Sequence, residues 1–317
     1  MNRFPWDYNP DAPECATVTN TIAAIANRNT EVIKLLLEAF GNCFYRLNLY
    51  RGAVMLYGPN GSNGKSTLLN MLKYLLGTEN TSFLSLQDTT KKFRLPEIYG
   101  KTANIGDDIP ATYIPDSSIF KRLVTGEAVM AEKKGRDPIT FKSYAKFFFA
   151  MNELPPVSDK SKAFLSRILL VPMNNDFSTP DKRDVSLKDK QWSQREMEYL
   201  VRLTMDGLRR LMTQGDFTKP ACVLKAMREY EIENNLVLGF LTEYKNPLGL
   251  ATSEVYTDFQ GWYLDNGHKG IPGKSKFSRE VCRQCHLETK PRRDPRNKNK
   301  FERYFVPPET VTNRDTS

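Results

Sequence analysis

The sequence predicts an α/β fold in which helices flank a mainly parallel sheet, with a smaller domain after it. Apolar runs of strand length alternate with longer stretches of helical periodicity, and these runs lie at 52–57, 102–106, 147–151 and 167–172. Strands separated by helical stretches favour parallel pairing, because each crossover then covers one face of the sheet. A helix predicted over 65–76 ends at Gly77, a residue that commonly closes helices.

Four segments follow along the chain. They are an N-terminal linker with helices, the sheet-containing domain, a connector and a basic C-terminal domain, with bounds 1–45, 46–218, 219–250 and 251–317. Proline and aspartate are frequent in residues 1–16, and apolar residues between Thr19 and Phe40 recur at helical spacing. Ser193 and Glu196 form a capping box that predicts the start of the last long helix of the second segment.

The amino-acid composition indicates which class of protein this is and what kind of partner it binds. The 317 residues are 40% hydrophobic and 26% charged, as in soluble globular proteins, and the net charge of +9 indicates a polyanionic partner. Five scattered cysteines do not form a disulfide framework and favour a reducing compartment. No signal peptide or membrane-spanning run is recognisable, so we expect a cytoplasmic protein with no membrane partner.

The most informative stretch is a loop of glycine and asparagine between the strand at 52–57 and the following helix. Backbone N–H groups of such a loop can surround phosphate oxygens, and the helix N-terminus adds a favourable dipole. Lys65 would neutralise the β- and γ-phosphates, and the Ser66 hydroxyl would bind Mg²⁺. The predicted nucleotide ligands are Gly58, Asn60, Gly61, Ser62, Asn63, Gly64, Lys65, Ser66 and Thr67. The alternative is a turn that binds nothing.

Polar residues at the ends of later strands would complete this site. We assign Asp107 to the metal and Asp108 to the attacking water, although the two could exchange roles, and a solvated turn is the alternative. Asn152 could hydrogen-bond the water and a γ-phosphate oxygen, or it could cap a turn before Pro155. Arg167 is the candidate arginine finger, with a structural ion pair as the alternative.

The C-terminal segment combines two predicted helices with a basic hairpin, a layout typical of a winged helix. The hairpin's basic residues are Lys290, Arg292, Arg293, Arg296, Lys298, Lys300 and Arg303. Arg292 and Arg293 would bind DNA phosphates and supply affinity without sequence readout. A solvated basic tail is the alternative.

Four motifs occur in the order known from one family of motors: Gly61–Thr67, Phe93–Asp108, Phe120–Glu127 and Asn152–Pro155. They resemble superfamily 3 helicases, specifically the helicase half of phage and plasmid primase–helicases of the poxvirus type. The likeness spans nearly the whole chain. Two residues depart from the pattern. Pro59 stands at the expected first glycine, so the loop either is one residue longer from Gly58 or lacks that glycine. Ser166 precedes Arg167 where the family commonly has a second arginine.

The resemblance implies an AAA+-like P-loop NTPase core that uses ATP and Mg²⁺ and assembles into a homo-oligomeric ring, a hexamer, with sites between subunits. Such rings translocate on single-stranded DNA and unwind forked duplex. The DNA-gripping hairpin would lie at 128–141, with Lys133 and Lys134 on phosphates. The resemblance also implies a primase or polymerase domain on the same polypeptide and, for a phage protein, the cytoplasm of a bacterial host.

These observations lead to one hypothesis and two alternatives. The leading hypothesis is an ATP-dependent DNA helicase of phage or plasmid replication. A ring ATPase that loads or remodels replication proteins would hydrolyse ATP without separating strands. A DNA-binding module with a regulatory nucleotide site would not need the whole set of Lys65, Ser66, Asp107, Asp108 and Asn152.

Overall fold

A computed structural model describes residues 2–59, 61–159, 162–179, 185–187, 190–244, 246–295 and 297–308, without the side chains of 185 and 297–300. The chain divides into two compact units, Met1–Arg228 and Glu229–Ser317. This division falls inside the segment 219–250 that the sequence predicts as a connector. In the part of the chain that the structure describes, no helix is both long enough and apolar enough to cross a membrane.

The first unit is an α/β structure, as predicted. Its helices are α1 (Ala16–Ile25), α2 (Thr30–Asn42), α3 (Lys65–Leu76), α4 (Ser118–Thr125), α5 (Lys162–Leu165) and α6 (Gln194–Gln214), and α7 (Ala221–Asn234) crosses into the second unit. Its strands are β1 (Ala53–Tyr57), β2 (Thr81–Ser82), β3 (Ala103–Ile109), β4 (Ala128–Lys133), β5 (Arg136–Lys142), β6 (Lys146–Met151) and β7 (Ile168–Pro172).

Five of these strands form one parallel sheet in the order β2-β3-β6-β1-β7. The predicted mainly parallel sheet flanked by helices is therefore confirmed. Strand β6 lies between β1 and β3 although it comes later in the sequence than both. The carboxyl ends of β1, β3 and β6 consequently meet at one edge of the sheet, which is where ligands bind in open parallel sheets.

The aromatic strand β6 explains how helices cover both faces of the sheet. Successive side chains of a strand point to opposite faces. The Phe148 ring lies 5.8 Å from Phe40 of α2, whereas Phe147 and Phe149 lie 6.1 and 6.2 Å from Phe120 of α4. All five rings are buried. From Phe147 to Met151 the strand is apolar at every position, which is typical of a sheet buried on both faces.

A buried carboxylate links α2 to α6 and to the chain that follows α6. Glu38 is fully buried and accepts a hydrogen bond of 2.6 Å from Arg210 Nε. It also accepts bonds from the backbone N–H and the hydroxyl of Thr218, at 2.8 and 2.7 Å. Helix α6 begins at the capping box that the sequence predicts, since the Ser193 side chain and Glu196 each cap the other's backbone N–H.

Strands β4 and β5 form a separate antiparallel hairpin at the predicted position. Val129 and Phe141 anchor its base in the protein interior. The tip is exposed and turns at Gly135, whose φ is +71°, with Lys133 paired opposite Arg136. Only glycine adopts such a φ at little cost.

The second unit contains α8 (Leu236–Glu243), α9 (Thr252–Asp265) and α10 (Lys274–Cys285), followed by an antiparallel hairpin of β8 (Glu288–Asp294) and β9 (Asn297–Val306). The aromatic rings of Phe240, Phe259 and Phe277 pack together in its core. A single bridge pairs Ala251 with Tyr304 of β9. The two predicted helices and the basic hairpin are thus present, and the winged-helix assignment stays a prediction.

Candidate nucleotide-binding site

The loop between β1 and α3 has the strand-loop-helix arrangement that the sequence predicts. Gly64 precedes the helix with φ +85°, and Ser62 adopts φ +58°. A positive φ is costly at a residue with a side chain, and such strain is found most often at functional sites. Asn60, one of the predicted nucleotide ligands, lies outside the described residues.

Gly58 occupies the position where this loop needs a glycine. A Cβ atom there would lie 2.1 Å from Asn63 Nδ2 and 2.6 Å from the Met173 carbonyl oxygen. Neither distance is sterically possible, so any other residue would displace the loop. The two loop paths that Pro59 leaves open both stay predictions, because Asn60 lies outside the described residues.

The Lys65 side chain connects the phosphate loop to the end of β6. It is buried, and its Nζ donates hydrogen bonds to Asn63 Oδ1 at 2.8 Å, Asn152 Oδ1 at 2.9 Å and the Gly58 carbonyl at 3.1 Å. Burial lowers the pKa of Lys65 below its usual value, while the nearby carboxylates of Asp107 and Asp108 act in the opposite direction. The three acceptors fix the ammonium group in one position.

The acidic pair lies in a bulge of β3. The register to β6 shifts between Gly106 and Ile109, and Asp108 has φ +50°. The extra residue of a bulge re-aims side chains, and bulges are common beside active sites. Both carboxylates are exposed in the cavity, and the Asp108 backbone N–H donates to Asp107 Oδ1 at 2.9 Å. The sequence places these acids beyond a strand end, whereas the strand continues to Ile109.

Of the predicted catalytic and nucleotide-binding residues that the structure describes, all except Gly58 and Arg167 line one cavity of about 780 Å³. Its lining includes Lys65, Ser66, Thr67, Asp107, Asp108, Asn152 and the loop residues Gly61, Ser62, Asn63 and Gly64. A volume between about 300 and 1,000 Å³ is typical of small-molecule sites. Elements far apart in the sequence therefore contribute to one potential phosphate site.

The residues facing this cavity fit a magnesium ion. Ser66, Asp107 and Asp108 line the cavity, and the polar side-chain atoms of all three are oxygens. Mg²⁺ prefers oxygen ligands and is commonly held by one or two carboxylates together with substrate phosphates. The donor set is therefore suited to Mg²⁺ and to a phosphate-bearing substrate.

Arg167 is the one predicted catalytic residue that does not line the cavity among the described residues. It precedes β7, and its backbone carbonyl accepts a 2.8 Å hydrogen bond from Ala53, at the amino end of β1. It thus lies about 16 Å along the strand from the edge that carries the phosphate loop. Its guanidinium donates to the Ala163 carbonyl, and Arg167 Nε is buried with no partner among the described residues.

Sequence reasoning missed one wall of the cavity. Helix α1 contributes Thr17, Asn20, Thr21 and Ala24, and the segment after β7 contributes Phe177. The helical spacing between Thr19 and Phe40 predicts the helix but gives no sign of its place. The helix packs against α2, α3 and α6, and Asn175 donates side-chain hydrogen bonds to the carbonyls of Ala24 and Ile25, about 150 positions away in the sequence.

Exposed basic side chains are present in both units. At the tip of the β4–β5 hairpin, Lys133 and Lys134 are joined by Arg136, which the sequence analysis did not single out. In the second unit Arg292 and Arg293 are exposed on β8. Exposed basic side chains also lie along α10, another feature not predicted: Lys274, Lys276, Arg279 and Arg283.

Comparison of the sequence with known proteins gives a family match and one curated relative. Residues 56–167 match a protein family described as of unknown function, DUF5906. Over 261 residues, or 73% of the chain, the sequence is 24% identical to the protein named "Putative helicase L207/L206" from Acanthamoeba polyphaga mimivirus. The match covers 27% of that protein, so the chain spans about a quarter of its length.

The fold is similar to two structures of the NrS-1 C-terminal region. One apo structure has a TM-score of 0.58 and the A-form apo structure has 0.56, each at 15% identity over 95% of this chain and 78% of the other. At this identity the likeness establishes a shared fold. The chain is therefore weakly homologous to a viral protein named as a helicase and has the fold of the NrS-1 C-terminal region.

Proposed function

We propose that this chain is an ATP-dependent DNA helicase of superfamily 3 with an AAA+-like core, acting in phage or plasmid replication. One observation carries the proposal. The phosphate loop, the acidic pair and Asn152 line one cavity. Strand β6, which ends just before Asn152, lies between β1, which leads into the loop, and β3, which carries the acidic pair. This arrangement supports hydrolysis of a nucleoside triphosphate.

Each side chain of the site has a distinct role in the proposed reaction. Lys65 binds the β- and γ-phosphates, and Asn152 orients the attacking water against the γ-phosphate. Asp108 polarises that water. Mg²⁺ held by Ser66 and Asp107 would neutralise charge that develops on the phosphate oxygens. The hydrogen bonds from Lys65 to Asn63 and Asn152 place the ammonium group before the substrate arrives, so little reorganisation is required.

The proposed ring supplies the remaining positive charge. Arg167 lies far from the cavity of its own chain, so it would act as an arginine finger on a neighbouring subunit's ATP. Two features support this role: its position at the amino edge of the sheet and its unpartnered, buried Nε, whose N–H could find an acceptor in an assembled ring.

Single-stranded DNA is the proposed track. The exposed tip with Lys133, Lys134 and Arg136 would hold backbone phosphates within a hexameric ring. The second unit, as a winged helix, would add affinity through Arg292 and Arg293. Weak homology to the mimivirus protein named as a helicase supports this assignment. That protein is much longer than the matched region, so the proposal includes a primase or polymerase domain on the same polypeptide as this chain.

A strand-displacement assay on a forked DNA duplex tests the proposal. The wild-type chain should separate the strands with ATP and Mg²⁺, and Lys65→Ala should abolish both unwinding and ATP hydrolysis. DNA-stimulated hydrolysis without strand separation would favour a loader or remodelling ATPase. Absence of hydrolysis together with nucleotide binding would favour a regulatory site.

A further inference from the structure

The cavity extends beyond the phosphate loop to a second wall formed by α1. Thr17, Asn20, Thr21 and Ala24 line it at spacings of three, four and seven residues, which places them on one face of the helix. Seven residues of helix span about 10 Å. This wall is therefore long enough to accommodate a nucleobase and ribose next to a bound triphosphate.

The segment after β7 closes this wall against the phosphate loop. Asn175 Nδ2 donates hydrogen bonds to the carbonyls of Ala24 and Ile25, at 2.6 and 2.8 Å. Two residues later, the Phe177 backbone N–H donates to the Ser62 carbonyl at 2.7 Å. Phe177 is thus fixed between the end of α1 and the loop that would hold the phosphates.

The side chains on this wall have the chemistry that recognises a base. Phe177 is half-buried, lines the cavity and pairs with no other aromatic ring of the described residues. An aromatic ring at this place is suited to stacking on a base. Asn20 is exposed on the same cavity and carries both an amide donor and an amide acceptor. Stacking binds any base, whereas the amide can distinguish one base from another.

We propose that Asn20 and Phe177 form an adenine-recognition subsite, which rests on the proposed nucleotide function and adds the identity of the base. The Asn20 carbonyl would accept from the exocyclic N6 amino group, and its NH₂ group would donate to N7. Guanine presents a carbonyl oxygen at the equivalent position, which cannot donate to Asn20. The site therefore selects ATP over GTP.

Competition binding tests the subsite directly. In this assay, unlabelled ATP, GTP, 7-deaza-ATP or inorganic tripolyphosphate competes with fluorescently labelled ATP for binding to the full chain. The wild type should prefer ATP over GTP and over 7-deaza-ATP, which lacks the N7 acceptor. Asn20→Ala should reduce the ATP/GTP ratio by about 5- to 150-fold, the range for a bidentate amide contact with adenine. Displacement by tripolyphosphate should not change.

Two further variants separate stacking from reading of the base edge. Phe177→Ala should weaken ATP and GTP alike, by about 5- to 150-fold for one lost aromatic stack, and leave their ratio unchanged. Asn174→Ala is the matched control, because Asn174 is an exposed asparagine of the same segment that does not line the cavity. It should behave as the wild type in every competition.

The outcomes distinguish the subsite from the proposed function. The adenine subsite is refuted if ATP and GTP displace the labelled ATP from the wild type equally well. It is also refuted if Asn20→Ala keeps the wild-type ratio of ATP to GTP affinity. In either case tripolyphosphate displacement and ATP hydrolysis would leave the proposed function standing. If neither nucleotides nor tripolyphosphate bind, both proposals fail together.

Discussion

The two asparagines that hold Lys65 should have different effects on ATP hydrolysis. Asn63 and Asn152 each accept a hydrogen bond from Lys65 Nζ, at 2.8 and 2.9 Å. Asn63 is buried in the loop and would support hydrolysis by holding Lys65 in place, as a positioning residue. Asn152 is exposed to the cavity and would also contact the attacking water. Replacing each with alanine therefore separates positioning from transition-state stabilisation.

The expected magnitudes follow from these contacts. A hydrogen bond to a charged group contributes about 1.5–3 kcal/mol. Asn63→Ala should thus weaken ATP binding by about 10- to 150-fold, because Lys65 contacts the phosphates before and during the reaction. Asn152→Ala should lower kcat by about 10²–10³, comparable to loss of one donor that stabilises the transition state, with a smaller effect on binding.

Steady-state ATP hydrolysis and equilibrium nucleotide binding, measured on the same preparations, test this difference. Asn174→Ala serves as the control, since Asn174 is exposed and outside the cavity lining. If Asn152→Ala hydrolyses ATP as fast as the wild type, its catalytic role is refuted. If both variants lose binding and kcat in the same proportion, the two asparagines act only as supports for Lys65.

Other residues give further tests. Replacing Lys133 and Lys134 together with alanine should weaken binding of single-stranded DNA while basal ATP hydrolysis persists; equal loss of both would make the hairpin structural. Arg167→Ala subunits mixed with wild type should lower hydrolysis per ring, and unchanged hydrolysis would exclude the finger role. Glu38→Ala should reduce the free energy of unfolding by about 1.5–3 kcal/mol in urea titrations, because it removes the buried carboxylate that accepts hydrogen bonds from the partly exposed Arg210 and from Thr218; a loss below 1 kcal/mol would contradict this. Burial lowers the pKa of Lys146 to about 8 from 10.5, so the folded state loses that proton first and stability should rise with pH across this interval. Relative to Lys146→Met, the free energy of unfolding of the wild type should rise by about 2.5 kcal/mol between pH 7 and pH 10, and a difference that does not change with pH would refute the shift.

The elements of the phosphate site were predictable because their signals are local. The strand, loop and helix around Lys65 lie within one short stretch, and the glycine at the end of α3 is adjacent to the helix it closes. The parallel sheet also followed from the alternation of apolar runs and helical stretches. In each case neighbouring residues determine the backbone conformation.

The features that the sequence did not predict depend on contacts between distant residues. The α1 wall of the cavity is held by Asn175, whose bond to Ala24 spans 151 positions. The bulge at Asp108 arises from pairing with β6, and the need for glycine at position 58 arises from contact with Asn63 and Met173. No local periodicity carries this information. The strand order that brings Asn152 between the loop and the acids is likewise a property of the whole sheet.

The rate of ATP hydrolysis per chain, measured with Mg²⁺ over a range of protein concentrations, tests the central claim most directly. If Arg167 of a neighbouring subunit completes each site, the rate per chain should rise with protein concentration as subunits assemble. Lys65→Ala should abolish hydrolysis at every concentration. A wild-type rate that is independent of concentration in a strictly monomeric protein, or full activity in Lys65→Ala, would contradict the account.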